Sequence, residues 1–233
     1  MNAMILAAGR GTRLGELGKT IPKVLVDVGG VPLLSRHLAY LERHGIRRVL
    51  VNAHHLGEQV EQFLAAYQGP LETKCVVETE LLGTAGGVRN ALGELGDEPF
   101  LVLYGDILLD ESLSPLLELH ERERPVASIA VHPADDVVGK GVVEVAPDGR
   151  VTAFVEKPET TVPLPAWINS GAYVLDRALV ARLAPGDPLD FGRDVLPDAL
   201  ARGERIYAHR LESPVIDLGT PEALALARRA VTS

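Results

Sequence analysis

The sequence has 233 residues, 46% of them hydrophobic, and a formal net charge of −9, from 32 acidic against 23 Lys and Arg side chains. This length supports one substantial core, so we expect a single domain over residues 1–233. The acidic balance argues against nucleic-acid and membrane-surface partners, because such partners favour a basic face. The lone Cys75 cannot form an intramolecular disulfide, and the N-terminal apolar run is short for a signal peptide, so we expect a cytoplasmic protein.

The chain begins with an apolar run over residues 3–6, which predicts a buried strand leading into a glycine-rich turn. Gly9 and Gly11 lack a Cβ, so successive backbone N–H groups there can approach phosphate oxygens. Arg13 and Lys23 add positive charge. The turn therefore predicts a phosphate site.

Two well-known phosphate loops do not match this turn. The dinucleotide fingerprint requires glycine where the chain has Leu14, and the P-loop pattern requires glycine where it has Arg13. A nicotinamide oxidoreductase and a P-loop NTPase are therefore both disfavoured.

Strands and helices alternate after the turn. Leucines at helical spacing follow Pro32 and end at Gly45, residues 48–53 form a buried strand, residues 56–67 carry a second helical pattern, and residues 75–78 form a third strand. This alternation indicates a mostly parallel sheet covered by helices on both faces.

His54 and His55 follow the second of these strands. Neither a cysteine nor a clustered carboxylate lies beside them in the sequence, so we expect a solvated or hydrogen-bonded pair rather than a metal site.

A second glycine-rich segment covers residues 78–87 and precedes a helix over residues 88–92. Such a turn presents free N–H groups at the positive end of a helix dipole, so it predicts a base or phosphate site. A tight turn that needs small residues fits the same pattern.

The apolar strand at residues 100–104 ends in Gly105 and Asp106. A carboxylate at the carboxyl end of a central strand is well placed to hold a metal, although aspartate also opens many loops after strands.

Period-two β structure then replaces the alternation. Residues 141–145 and 151–155 flank Asp148-Gly149, which predicts a hairpin. The hairpin ends in Glu156-Lys157-Pro158, and a loop with Pro163 and Pro165 follows it. We therefore expect a second, β-rich subregion laid onto the first.

Near the end of the chain, Thr220 and Pro221 have the residue types of an N-cap and a first helical position. Helix capping accounts for these two residues but not for the presence of an aspartate at position 217, Asp217.

Six segments in this order resemble the sugar-1-phosphate nucleotidyltransferases, or nucleotide-sugar pyrophosphorylases. They are L-A-x-G-x-G-T-R-L at residues 6–14 with Pro22-Lys23, L-G-T-A-G at 82–86, Gly-Asp at 105–106, Glu-Lys-Pro at 156–158, Asn-x-Gly-x-Tyr at 169–173 and D-x-G-T-P at 217–221. The resemblance implies a Rossmann-like (GT-A-type) α/β fold with a mostly parallel mixed sheet, helices on both faces and a small β-rich sugar-binding subregion. It implies a nucleotide-binding half at about residues 1–110 and a sugar-phosphate-binding half at about 111–233.

The same resemblance implies roles for individual residues. The nucleotide-binding set is Leu6, Ala8, Gly9, Gly11, Thr12, Arg13, Glu78, Leu82, Gly83 and Thr84. The sugar-phosphate set is Gly141, Glu156, Lys157, Asn169 and Gly171. Arg13, Lys23 and Lys157 would be catalytic, and Asp106 and Asp217 would hold Mg²⁺. The chain departs from the family pattern at Leu81, where proline is common, and at Val215, where tryptophan is expected.

The implied reaction is Mg²⁺-dependent transfer of a nucleotidyl group from an NTP to a sugar 1-phosphate, which gives an NDP-sugar and pyrophosphate. The short chain, without a left-handed β-helix repeat, resembles the mannose-, heptose- and N-acetylmuramate-1-phosphate enzymes, and a purine nucleotide is favoured, GTP first.

Two alternatives remain open: a nucleotidyltransferase for a non-sugar phosphate such as phosphocholine or for a sugar acid, and a catalytically silent nucleotide-sugar-binding regulatory subunit. The sequence also leaves a homo-oligomer open.

Overall fold

The computed structural model describes residues 1–158 and 166–231, so the loop predicted at Pro163 and Pro165 lies outside the described residues. The strands are β1 (Asn2–Leu6), β2 (Asp27–Val28), β3 (Val31–Pro32), β4 (Arg48–Ala53), β5 (Glu72–Val77), β6 (Phe100–Tyr104), β7 (Ile107–Leu108), β8 (Ala127–Ala134), β9 (Gly141–Val145), β10 (Val151–Glu156), β11 (Ala166–Leu175), β12 (Ile206–Arg210) and β13 (Ile216–Asp217). The helices are α1 (Glu16–Thr20), α2 (Leu33–Arg43), α3 (Gly57–Ala65), α4 (Gly83–Leu95), α5 (Ser114–Glu123), α6 (Arg177–Ala181), α7 (Leu196–Ala201) and α8 (Pro221–Ala230). Short 3₁₀ turns cover Thr12–Leu14 and Lys23–Leu25, and a π-helical turn covers Phe191–Val195.

Nine strands of the described chain form one mixed sheet in the order β10-β9-β11-β6-β1-β4-β5, with β8 beside β11 and β12 beside β8. Strands β5, β4, β1 and β6 are parallel, whereas β11 runs antiparallel to β6, β8 and β9. The strand order reverses at β1, because β4 and β5 lie on one side of it and β6 on the other. The loops after β1 and β6 therefore diverge and leave a crevice, which is where open α/β sheets bind ligands.

Helices pack on both faces of this sheet. Met4 belongs to a core with α4, α6 and α7, whereas its neighbour Ile5 belongs to a core with α2, α3 and α5. This division follows from the two-residue period of a strand, which sends successive side chains to opposite faces. The predicted fold class, a mixed α/β sheet with helices on both faces and a β-rich subregion, is confirmed.

Strand β12 and the start of α4 depart from the sequence prediction. The five-residue strand β12 pairs in parallel with β8 and carries Tyr207 and His209 among its residues, so its apolar signal is weak. Helix α4 begins at Gly83, five residues before the predicted start, although glycine is a poor helix former. None of the helices within residues 1–158 and 166–231 is both long enough and apolar enough to cross a membrane.

Candidate active site

A cleft of about 260 Å³ opens at the carboxyl ends of β1 and β6. Its walls are formed by Leu6, Ala7, Ala8, Gly9, Lys23, Val24, Asn52, Leu81, Gly83, Thr84, Tyr104, Gly105, Asp106 and Asp190. A larger groove of about 820 Å³ runs along α2, and it contains none of the residues implicated by the sequence. The candidate site residues from the sequence therefore lie at the smaller cleft and not at the larger groove.

The first glycine-rich turn forms one wall of this cleft. A Cβ added at Gly9 would meet no protein atom within 4 Å, so the space that glycine leaves there is open to a ligand. Gly11 has a φ of +63°, which is left-handed, and it turns the chain into the 3₁₀ turn that carries Thr12 and Arg13. Both of these side chains are exposed.

Two carboxylates and two cations meet at one end of the cleft. The Nζ atom of Lys23 lies 2.6 Å from Oδ2 of Asp106 and 3.3 Å from Oδ1 of Asp217. Arg13 lies 3.7 Å from the second carboxylate. The side chain of Lys23 is only 10% exposed, whereas those of Asp106 and Asp217 are 36% and 56% exposed, so both carboxylates remain accessible.

The pairing of two short strands brings these distant carboxylates together. Strand β13 runs antiparallel to β7 with Asp217 opposite Ile107, and the N–H of Leu218 donates to the carbonyl of Asp106. Gly219 leaves room for the arginine, because a Cβ there would lie 2.7 Å from the guanidinium carbon of Arg13. Backbone pairing therefore sets the spacing of the acidic pair.

The carboxylate of Glu78 supports the cleft from behind. Only 3% of Glu78 is exposed, and its oxygens accept from Nδ2 of Asn52 at 2.6 Å and from the N–H of Leu82 at 3.3 Å. Oδ1 of Asn52 in turn accepts from the N–H of Ala7 at 2.7 Å. Glu78 is thus committed to protein groups, and it acts on the first turn through Asn52.

The second glycine-rich segment is docked on another part of the chain. The N–H groups of Ala85 and Gly86, in the first turn of α4, donate to the carbonyl of Leu189 at 2.9 and 3.1 Å. The free helix N-terminus expected from the sequence is therefore partly occupied, because residues 187–191 cover it. Gly83 and Thr84 still face the cleft.

The residues expected at the sugar lie beside this covering segment. Oε2 of Glu156 would be 2.7 Å from a Cβ at Gly141 and 2.6 Å from one at Gly192, so two glycine backbones enclose the carboxylate. Burial, together with the negative charge of Asp190, raises the pKa of Glu156. Lys157 has a φ of +51°, which is strained for a residue with a side chain and is a feature common at functional sites.

Hydrogen bonds between side chains link the cleft to Asn169. Nδ2 of Asn169 donates to the hydroxyl of Tyr173 at 2.6 Å, and the Tyr173 hydroxyl donates to the hydroxyl of Tyr104, which lines the cleft, at 3.1 Å. Gly171 has a φ of +71°, and a Cβ there would lie 2.8 Å from the Tyr104 ring, so glycine is required on both counts. Burial raises the pKa of Tyr104, which keeps its hydroxyl protonated.

The family model described as "Nucleotidyl transferase" matches residues 2–233. The chain belongs to the nucleotidyl transferase family. It is 30% identical to a UTP–glucose-1-phosphate uridylyltransferase of Synechocystis sp., over 94% of this chain and 60% of that protein. It is 32% identical to a mannose-1-phosphate guanylyltransferase of Mycobacterium tuberculosis, over 95% of this chain and 62% of that protein. The chain therefore spans about three fifths of the length of these curated relatives.

A solved structure extends the comparison to the fold. The crystal structure of HddC from Yersinia pseudotuberculosis, complexed with GMP-PN, matches with a TM-score of 0.82 at 28% identity over 99% of both chains. The resemblance drawn from the sequence motifs is thus confirmed for the family.

The predicted site residues fall into four groups. Those that line the cleft are Leu6, Ala8, Gly9, Lys23, Gly83, Thr84 and Asp106. Those in contact with lining residues or their partners are Arg13, Asp217, Glu78 and Leu82. Those in or beside β9, β10 and β11, which the sequence motifs assign to the sugar phosphate, are Gly141, Glu156, Lys157, Asn169 and Gly171. Gly11 and Thr12 lie in the turn beyond the cleft wall.

Three polar lining residues were not found from the sequence. Asn52 interrupts the apolar strand β4, and a polar residue in a buried strand is a usable signal. Tyr104 ends β6, and Asp190 has the residue type of a helix cap, so nothing local separates them from ordinary structural residues. His54 and His55 approach the backbone carbonyls of Glu78 and Gly18, as the hydrogen-bonded interpretation predicts.

Proposed function

We propose that this protein transfers a nucleotidyl group from an NTP to a sugar 1-phosphate, giving an NDP-sugar and pyrophosphate. The observation that carries the proposal is the cluster of Asp106, Asp217, Lys23 and Arg13 at the end of a cleft walled by a glycine-rich turn. Phosphoryl chemistry needs groups that position and neutralise several phosphates, and it needs little covalent participation by the protein. The names of the two relatives support a sugar 1-phosphate as the acceptor.

The cations of the site have separate roles in this proposal. The exposed Arg13 holds the β- and γ-phosphates and then the departing pyrophosphate. Lys23 exchanges its carboxylate partners for the α-phosphate, and Lys157 neutralises the phosphate of the sugar. Two anions must approach each other for the in-line attack, and fixed positive charge lowers the energy of that approach.

The acidic pair fits a divalent cation. Asp106 and Asp217 offer hard, accessible oxygen ligands, which are the donors that Mg²⁺ prefers. No group of three or more His, Cys, Asp or Glu side chains with metal-binding geometry occurs in the described part of the chain, so the remaining ligands would come from phosphate and water. When bound, Mg²⁺ would supply positive charge to the phosphates; the carboxylates of this chain would hold and orient it.

We further propose GTP with a mannose- or heptose-type sugar. The guanylyltransferase relative supports the guanine nucleotide, whereas the uridylyltransferase relative makes UTP the first competitor. We also propose a cytoplasmic location, in keeping with the unpaired Cys75.

Pyrophosphate release tests the activity and the metal site together. The protein would be assayed with five nucleoside triphosphates against mannose, glucose, heptose and N-acetylmuramate 1-phosphates, in Mg²⁺ and in EDTA. We expect Mg²⁺-dependent release with one preferred pair. Asp106→Asn should lower turnover by about 100- to 1,000-fold without a change in thermal unfolding, since it removes a charged metal ligand.

The exposed Asp110 provides the matched control. Asp110→Asn removes a nearby carboxylate that does not line the cleft, and it should retain wild-type turnover. Wild-type rates in Asp106→Asn would contradict the metal assignment. Nucleotide binding without pyrophosphate release from any pair would instead favour the silent regulatory subunit.

A further inference from the structure

Asp190 is held rigidly at the wall of the cleft. Its Oδ1 accepts from the N–H groups of Gly192 and Arg193 at 2.9 and 3.3 Å, and its Oδ2 accepts from the hydroxyl of Thr84 at 2.8 Å. Two carboxylate oxygens offer about four acceptor positions, so these three bonds leave capacity for a donor from the cleft. Asp190 is thus a preorganised acceptor in the wall of the cleft.

The contacts of Thr84 join Asp190 to the second glycine-rich segment. Its hydroxyl also accepts from the N–H of Phe191 at 2.9 Å, and the N–H of Leu189 donates to the carbonyl of Leu82 at 2.9 Å. Residues 187–191 therefore form one wall, which contacts the second glycine-rich segment at Leu82 and Thr84 and continues into Gly192, beside Glu156.

Glu156 lies immediately beyond this wall. A Cβ at Gly192 would come within 2.6 Å of its Oε2, and Gly192 donates its N–H to Asp190, so one glycine backbone separates the two carboxylates. Their proximity is also reflected in the raised pKa of Glu156, to which burial contributes most and Asp190 next.

The cations near this carboxylate pair already have partners. Arg193 forms two hydrogen bonds to the carboxylate of Asp194, at 2.9 and 3.0 Å. Nζ of Lys157 is 3.7 Å from Oε1 of Glu156, and the proposed function assigns it to the sugar's phosphate. Neither Arg193 nor Lys157 is therefore free to neutralise the carboxylates of Asp190 and Glu156.

We propose that Asp190 is a second hydroxyl acceptor for the sugar and that Asp190 and Glu156 together restrict the acceptor to sugars without a negative charge on the ring. The inference rests on the proposed function and narrows its substrate class. Ring hydroxyls donate to both carboxylates, whereas a uronate or lactyl carboxylate would meet like charge in a partly buried site. Neutral hexoses and heptoses are accepted, and sugar acids are rejected.

The wild-type protein tests the charge rule directly. Glucose 1-phosphate and glucuronate 1-phosphate differ only at C6, so their binding would be compared by calorimetry at pH 7.5, with mannose 1-phosphate as a second neutral ligand. We expect the uronate to bind at least tenfold more weakly than the better neutral ligand. Equal or tighter binding of the uronate would overturn the proposal, whether or not pyrophosphate is released.

Asp190→Asn tests the residue itself, because asparagine keeps an oxygen to cap the π-helical turn but removes the charge. We expect the KM for the neutral sugar phosphate to rise at least tenfold, the KM for the NTP to stay within twofold, and the preference for neutral over uronate ligands to shrink. The exposed Asp97 lies outside the cleft and its walls, and Asp97→Asn should change none of these values.

Two outcomes would count against the role of Asp190. An unchanged KM for the sugar phosphate would show that Asp190 makes no contact with it, and a parallel rise in both KM values would show a general effect on the wall. If Asp190→Asn does not fold, the wild-type comparison still decides the charge rule. Absence of pyrophosphate release from every pair would refute the proposed function, and the calorimetric comparison would remain a separate test.

Discussion

At the scale of single residues, the cleft depends on two buried polar side chains whose hydrogen bonds go to other protein groups. Asn52 and Glu78 bridge β4, the first glycine-rich turn and the approach to α4. Gly87 makes this possible, because a Cβ there would lie 2.6 Å from Glu78 and 2.7 Å from Asn52. Glu78, which the sequence motifs assign to the nucleotide, therefore does not line the cleft itself and contacts Asn52, which does.

Removal of this carboxylate should be costly for stability. Glu78→Ala leaves the amide of Asn52 and the N–H of Leu82 without their acceptor in a buried environment, so we expect the free energy of unfolding to fall by about 1–3 kcal/mol. Urea denaturation at pH 7.5 measures the change. Glu80→Ala, at an exposed position two residues on, is the control and should be nearly neutral. Equal effects of the two variants would contradict the supporting role of Glu78.

At the scale of elements, the N-terminus of α4 and residues 187–191 form one unit. Leu189 supplies the acceptor for two N–H groups that a helix cannot satisfy internally, which offsets the poor helix propensity of the glycines. The same glycines are required by close packing, since a Cβ at Gly83 would lie 2.4 Å from the carbonyl oxygen of Leu189. The sequence motif is therefore a docking surface as well as a cleft wall.

Two glycines of α4 give a matched test of this docking. A Cβ at Gly86 would lie 2.5 Å from the carbonyl oxygen of Asp187, so we expect Gly86→Ala to destabilise the protein by about 1–3 kcal/mol. Gly93 lies in the same helix with no atom within 4 Å of its Cβ position, and Gly93→Ala should stabilise by about 0.5–1 kcal/mol. Thermal unfolding of both variants checks the opposite signs. Stabilisation by Gly86→Ala would mean that the segment is not docked.

At the scale of the whole molecule, a buried histidine makes stability depend on pH. Burial lowers the pKa of His132 from 6.5 to about 4, with a contribution from Lys140, and its Nδ1 lies 2.9 Å from the hydroxyl of Ser170. Between pH 6.5 and 4 the unfolded chain binds a proton at this position that the folded protein excludes. The folded state therefore loses stability as the pH falls through that window.

The expected contribution of His132 over this window is on the order of 3 kcal/mol. Urea unfolding at pH 7.5, 6 and 4.5 should show a steeper loss of stability in the wild type than in His132→Gln, which cannot titrate. Other groups titrate in both proteins, so the difference between the two curves isolates the histidine. Parallel curves would show that His132 is protonated in the folded state.

Local chemistry made much of the fold and site predictable. The pattern of apolar residues, together with local turn and helix-end signals, was sufficient for β1, β4, β6, α2 and the β9/β10 hairpin. The sequence motifs identified Asp106, Lys23 and Asp217 as candidate site residues. They did not identify Asp190, and they did not show that Glu78 is occupied by hydrogen bonds to other protein groups, because both facts depend on which distant segments pack together.

The sequence by itself determined the family, the sheet with helices on both faces and the types of charged group at the strand ends, since these depend on residue order and spacing. Only the tertiary structure decided which of those groups meet. The pairing of β13 with β7 brings Asp217 to Lys23 and Asp106, and the docking of residues 187–191 on α4 places Asp190 in the wall of the cleft. Contacts between residues so far apart in the chain arise from backbone pairing and packing, which no local pattern encodes.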